Sequence, residues 1–182
     1  MTRRVLIPVA DGTEELEAVT MIDLLRRAGI EVVVASLDGE PVVCSRGVKL
    51  QPDQSLNEAL ASEYDMIALP GGLPGADHLA EDPRIRDRVQ NMHAQGRFVA
   101  AICAAPKVLA RAGVLDGRRA TSFPGVLESE GHALVTGDAW TRDGTVLTSR
   151  GPGTAMDFAL LLIETLVGPD QRQEVEAALQ RP

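Results

Sequence analysis

Short apolar runs alternate with segments of helical period along most of this chain, and few architectures accept that rhythm. Residues 5–9, 30–35, 66–69 and 98–102 are four such runs. Each is short enough for a strand and apolar at successive positions, as a strand covered on both faces must be. Most lead through a turn into a stretch with apolar residues three or four apart. The first of these helices is expected to start near Thr13 as N-cap, to carry Leu16, Val19, Leu24 and Leu25, and to stop at Gly29. Strand-then-helix order predicts a mostly parallel sheet sandwiched between helices, in one α/β domain over residues 1–182.

Two stretches depart from the rhythm. Residues 38–50 read as a hairpin with Asp38-Gly39 as its turn, and residues 133–148 as a second. In the second, Thr141-Arg142-Asp143-Gly144 is expected to turn between Asp138-Ala139-Trp140 and Thr145-Val146-Leu147. An amphipathic helix is expected over 154–167, then a short polar one from Pro169 to the end. Aromatic residues are few (Tyr64, Trp140, Phe98, Phe123 and Phe158), so the core must come from Val, Leu, Ile and Ala.

Charge and cysteine usage narrow the function classes. Lys and Arg number 18 against 26 Asp and Glu, a net charge of −8. An acidic surface repels nucleic acid and anionic lipid, and Arg3-Arg4, Arg26-Arg27 and Arg118-Arg119 are dispersed pairs rather than a basic patch. No apolar run approaches the roughly 20 residues that cross a bilayer. Cys44 and Cys103 form no disulfide framework, and with His78, His93 and His132 scattered they have no metal-ligand spacing. A cytoplasmic protein with reduced thiols, no metal and no cofactor is the expectation.

Chemistry concentrates in three places. In Val99-Ala100-Ala101-Ile102-Cys103-Ala104-Ala105-Pro106 an apolar strand ends at a cysteine, small residues follow, and a helix pattern begins at Pro106. This is the layout of a nucleophile elbow, whose crowded turn demands small neighbours. A helix N-terminus beside the sulfur would favour the thiolate. The segment alone leaves a buried, inert cysteine equally open. Leu69-Pro70-Gly71-Gly72 closes another strand, and the N–H groups of Gly71 and Gly72, with that of Ala104, could form an oxyanion hole beside Cys103. Glu14, Glu15 and Glu17 open the first helix. The helix dipole accounts for Glu14 and Glu15. Glu17 falls on the stripe near Thr20 and Met21, so an inward carboxyl with a raised pKa is expected there.

Taken in order, Gly12-Thr13-Glu14-Glu15-Leu16-Glu17, Arg26-Arg27-Ala28-Gly29, Cys44-Ser45-Arg46, Leu69-Pro70-Gly71-Gly72, Ala101-Ile102-Cys103-Ala104-Ala105-Pro106 and Thr148-Ser149-Arg150-Gly151-Pro152-Gly153-Thr154 resemble the ThiJ/PfpI superfamily and its DJ-one branch over nearly the whole chain. The resemblance implies a flavodoxin-like three-layer α/β/α sandwich and a cytoplasmic homodimer. It implies Cys103 as reactive cysteine, Glu17 as the protonated carboxyl on its sulfur, and Gly71 and Gly72 as glycines whose amides face that sulfur. Cys44 resembles a peripheral cysteine near the dimer contact. Arg27 and Arg46 match arginines near site and interface, with salt-bridge roles; together with Glu14 and Phe123 they are expected to line the pocket or to stand just behind it. Two departures are visible. Phe123 stands in Thr121-Ser122-Phe123-Pro124 where some members have a histidine, which predicts an apolar wall favouring small uncharged carbonyls. Ala104 stands where the protease branch has a histidine, which disfavours a peptidase.

Two functions remain open at this point. One is a cofactor-free enzyme acting on small aldehydes or glycated substrates, of glutathione-independent glyoxalase or deglycase type, protecting against carbonyl and oxidative stress. The other is a redox sensor or redox-regulated chaperone, in which an exposed low-pKa Cys103 is oxidised to the sulfinate and held by the neighbouring carboxyl.

Overall fold

The computed structural model describes residues 2–181. Strand β1 (Arg4–Val9) feeds helix α1 (Glu15–Arg27), which returns to β2 (Glu31–Ser36). Outlying strands β3 (Val42–Val43) and β4 (Lys49–Leu50) follow, then β5 (Gln54–Ser55) and the single turn α2 (Leu56–Ala59). Next come β6 (Met66–Leu69), α3 (Gly75–Glu81), α4 (Pro83–Ala94), β7 (Phe98–Ile102) and α5 (Pro106–Arg111). The chain continues through β8 (Arg119–Ala120), α6 (Val126–Glu130), β9 (Leu134–Val135), β10 (Trp140–Asp143) and β11 (Val146–Ser149). After a 3₁₀ turn it ends in α7 (Ala155–Val167) and α8 (Pro169–Ala178); the last residue of the expected terminal helix, Pro182, lies outside the described residues.

The main sheet runs β10-β11-β7-β6-β1-β2-β5, parallel throughout except for the antiparallel edge strand β10. Its five longer parallel strands, numbered by their order in the chain, lie 2-1-3-4-5, the flavodoxin-like order. The order reverses between β1 and β6, and ligand crevices form there at the carboxyl ends of the strands.

The uninterrupted apolar runs follow from this arrangement. Val5, Ile7 and Val9 face the side covered by α1, α7 and α8, among Met21, Leu25, Phe158, Leu162 and Val175. Leu6 faces the other side, with Leu79, Ile85, Val89 and Val108 from α3, α4 and α5. Both faces are dry, and each large side chain so buried contributes roughly 1.5–3 kcal/mol. Among the described residues no helix is long and apolar enough to cross a membrane.

Four local expectations need correcting. Thr13 is not a helix cap: its Oγ1 accepts the Ala10 N–H at 3.0 Å, closing the turn after β1, and α1 begins behind Glu14 without a side-chain cap. Leu16 and Val19 are exposed, because the buried arc of α1 is centred on Glu17, Ala18, Met21 and Leu25. The hairpin within 38–50 exists, but Asp38-Gly39 is only the bend leaving β2; the turn between β3 and β4 is Cys44–Gly47, closed by the Gly47 N–H on the Cys44 carbonyl at 3.0 Å. In the second hairpin Asp143 pairs with Val146, so Thr141–Asp143 are strand and the turn tightens to Gly144-Thr145. There Gly144 supplies the positive φ (+62°) that a two-residue hairpin turn needs.

Candidate active site

Three crossovers of the sheet deliver their first residues to one place, at the carboxyl ends of β1, β6 and β7. Cys103 follows β7 with φ of +65°, a left-handed conformation that costs a side-chain-bearing residue on the order of 1 kcal/mol or more. Neighbouring strands hold it: its N–H donates to the Ser149 carbonyl at 2.9 Å, and its carbonyl accepts the Phe123 N–H at 2.9 Å. The expected elbow is therefore present. Small residues at 104 and 105 let α5 start immediately behind it.

Glu17, from the first turn of α1, is 0% exposed. Its Oε2 accepts the Gly71 N–H at 2.8 Å, and Oε1 is buried with no hydrogen-bond partner. Burial pushes this carboxyl up to about 7 against the pull of the Gly71 amide; the charge of Glu14 adds to the rise. Gly71 separates the two groups so closely that a Cβ there would lie 2.7 Å from both the Cys103 Cβ and Glu17 Oε2. No other residue fits that position.

Burial, and then the Glu17 charge, push the Cys103 thiol up to about 12, while the amides of Ala104 and Gly72 pull the other way. This corrects the expectation of an exposed, low-pKa thiolate. The sulfur-bearing residue is only 9% exposed, and α5 is a six-residue helix whose dipole does not offset desolvation beside a carboxylate. The charges of carboxylate and thiolate instead disfavour each other across this short distance. A bare buried carboxylate oxygen is costly. Protonating the Glu17 carboxyl removes that cost.

The oxyanion expectation is also adjusted. The Gly71 N–H is committed to Glu17, so the donors facing the sulfur are those of Gly72 and Ala104. Gly72 holds φ of +90° with its Cα packed against the Gly12–Glu14 backbone, which leaves no room for a side chain.

Above the sulfur lies a largely apolar pocket of about 310 Å³. Glu14, Ser45 and Arg46 form one side; Leu73, Phe123, Val126 and Pro152 form the rest of its wall. Phe123 is half exposed and stands at the rim against Gly151. Among the described residues no group of three His, Cys, Asp or Glu side chains is arranged to hold a metal ion.

Residues 3–165 match the DJ-1/PfpI family. The chain belongs to that family. A DJ-1 family protein of Drosophila melanogaster, dj-1beta, is 42% identical over 98% of this chain and 97% of its own. A crystal structure of that fly protein superposes with a TM-score of 0.96, covering all of both chains. A Caenorhabditis elegans family member, named glutathione-independent glyoxalase DJR-1.2, is 37% identical over 92% of this chain and 89% of its own. An oxidised DJ-1 of Toxoplasma gondii superposes with a TM-score of 0.94 at 40% identity, covering 98% of each chain.

Within this DJ-1/PfpI framework the remaining candidates separate. Arg27 is not at the pocket: it lies ten residues beyond Glu17 on α1, about 15 Å along the axis, paired with Asp23 at 2.7 Å. Arg46 does line the pocket, but its guanidinium makes no salt bridge among the described residues; its backbone N–H donates to Glu15 Oε1 at 2.9 Å. Cys44 is buried and lies outside the pocket, and burial with the charges of Glu15, Glu14 and Asp11 pushes its thiol up to about 11.

Glu15 is the residue that sequence reasoning missed. It was assigned to the helix dipole, yet it is buried and accepts from the Ser45 hydroxyl and the N–H groups of Arg46 and Val48. Burial alone would raise its pKa, but these bonds prevail and hold it below the ordinary carboxylate value. Its sequence signal is faint: one of three neighbouring glutamates, distinguished only by falling, like Glu17, on the buried side.

Proposed function

We propose that this chain is a cofactor-free, cysteine-dependent enzyme acting on small reactive carbonyls, of the glutathione-independent glyoxalase or deglycase type. The observation that carries the reading is Glu17, a wholly buried carboxyl raised to about 7 and packed against Cys103. A group poised near neutrality both accepts and donates protons, as shuttling between adjacent carbons requires. Support also comes from the family member whose name states a glutathione-independent glyoxalase.

The chemistry runs in three steps. The Cys103 sulfur adds to the aldehyde carbon of methylglyoxal as Glu17 takes the thiol proton, and the Gly72 and Ala104 amides stabilise the developing oxyanion. Proton transfer to that oxygen gives a hemithioacetal. Glu17 then removes the hydrogen from that carbon and returns it to the neighbouring one. The ketone becomes a hydroxyl as the thioacetal carbon becomes a thioester, so no external oxidant is needed. Water finally cleaves the C–S bond to give lactate and restore the thiol. Glycated substrates would enter through the same hemithioacetal.

We further propose a homodimer. Leu16 and Val19 of α1, and Val43 and Val48 of the β3–β4 hairpin, are exposed apolar residues on two segments hydrogen-bonded to each other.

The test of the activity is glutathione-free conversion of methylglyoxal to lactate by wild type, Cys103→Ser and Glu17→Gln. Loss in both variants is expected. If wild type makes no lactate above the Cys103→Ser background, the enzyme reading fails and oxidation of Cys103 becomes the leading function.

A further inference from the structure

Hydrolysis of the thioester, the last step of the activity proposed above and the premise here, needs a base of its own. Water attacking an acyl carbon must lose a proton as the C–O bond forms, and Glu17 is badly placed to take it. That carboxyl is 0% exposed, beneath the sulfur, with one oxygen already on the Gly71 amide. An acyl group on Cys103 would cover it further. The base must therefore face the pocket from the solvent side.

Among the residues lining the pocket, the side chains with protons to exchange are Glu14, Ser45, Arg46 and Cys103. Cys103 carries the acyl group, the Arg46 guanidinium has only donors and no lone pair to accept a proton, and the Ser45 hydroxyl is shared between Glu14 and Glu15. Only the Glu14 carboxyl is left. It is partly exposed, so water reaches it, and its Oε2 accepts the Ser45 Oγ–H at 2.8 Å, the shorter arm of a bond shared with Glu15 Oε2 at 3.1 Å. Its charge is also felt by Glu17, so it lies close to the reacting groups.

We propose that Glu14 is the general base that activates water for hydrolysis of the Cys103 thioester. The water proton passes to the Glu14 carboxylate as oxygen bonds to the acyl carbon, and the amides of Gly72 and Ala104 hold the tetrahedral oxyanion. Collapse breaks the C–S bond. The sulfur leaves as thiolate, takes up the acid proton of the product, and Glu14 returns its own proton to solvent. Two carboxyls thereby divide the cycle: Glu17 works beneath the sulfur on carbon-bound hydrogen, Glu14 above it on water.

The test uses methylglyoxal with and without hydroxylamine, a nucleophile that cleaves thioesters without a general base, read as initial rates before oxime formation depletes the free aldehyde. With Glu14→Gln, lactate formation is expected to fall about a hundredfold, with hydroxamate formation within about twofold of wild type. A thioester should also build up to one per chain. Normal hydroxamate formation serves as the control for folding and for the first two steps. Lactate formation unchanged in Glu14→Gln overturns the assignment, and so does an equal fall in lactate and hydroxamate. If wild type yields neither product, the carbonyl reading itself fails, and this assignment falls with it.

Discussion

Glu17 couples catalysis to stability at a single residue. Its carboxyl is raised from 4.5 to about 7 in the folded chain, so between those values the native state binds more protons than the unfolded state. Stability contributed at this residue is therefore fully present below pH 4.5 and lost as pH rises from there through about 7. The full difference amounts to about 3 kcal/mol. Glu17→Gln, which cannot ionise, is expected to match wild type near pH 4 and to exceed it by up to that amount at pH 8, measured by urea unfolding. Equal stabilities at pH 8 would mean that the carboxyl is not held in a dry site. A residue kept in place at a standing cost to the fold is a signature of a working site. Sequence alone indicated that Glu17 turns inward. It could not show that the Gly71 amide would be spent on Glu17, since that depends on how β6 and α1 meet.

At the scale of elements, the β3–β4 hairpin is attached to the site by side chains rather than by the main sheet. Glu15 accepts from Ser45, Arg46 and Val48, and the backbone adds Gly12 N–H to the Val43 carbonyl and Ser45 N–H to the Thr13 carbonyl, both at 2.8 Å. Glu15→Ala leaves donors of the hairpin turn without partners and is expected to cost about 3 kcal/mol, or on the order of 10 °C in Tm, by calorimetry. Glu15→Gln, which keeps one acceptor oxygen, should cost less. A Tm within a degree or so of wild type for Glu15→Ala would show that the turn stands without it. The strands and the elbow were legible in the sequence because periodicity and small residues encode them locally. The true turn of this hairpin was not. Asp38-Gly39 carries the stronger local signal, whereas Cys44–Gly47 turns where it does because a distant carboxylate receives its N–H groups.

The whole molecule leaves apolar surface uncovered beside its site. Leu16 and Val19 fit a core stripe in the helical pattern, and their exposure is the ground on which a dimer is proposed. Sedimentation is expected to give a dimer for wild type and a monomer for the double variant Leu16→Glu, Val43→Glu, which places charge on both segments. A monomeric wild type at micromolar concentration would remove the proposed interface. In the sequence the dimer is implied by the resemblance alone; helical periodicity does not address it, because it marks apolar faces without saying whether the same chain or another covers them.

The left-handed turn at Cys103 has a consequence for the order in which the molecule is made. Its amide is anchored to the carbonyl of Ser149, on a strand that is synthesised long after the cysteine itself. Glu17 and Gly72 are already present by then, but β7 has no β11 beside it to hold the elbow. A nascent chain interrupted before residue 149 lacks this anchor for the turn. That hold on the cysteine is withheld from the growing polypeptide until the edge of its sheet is laid down.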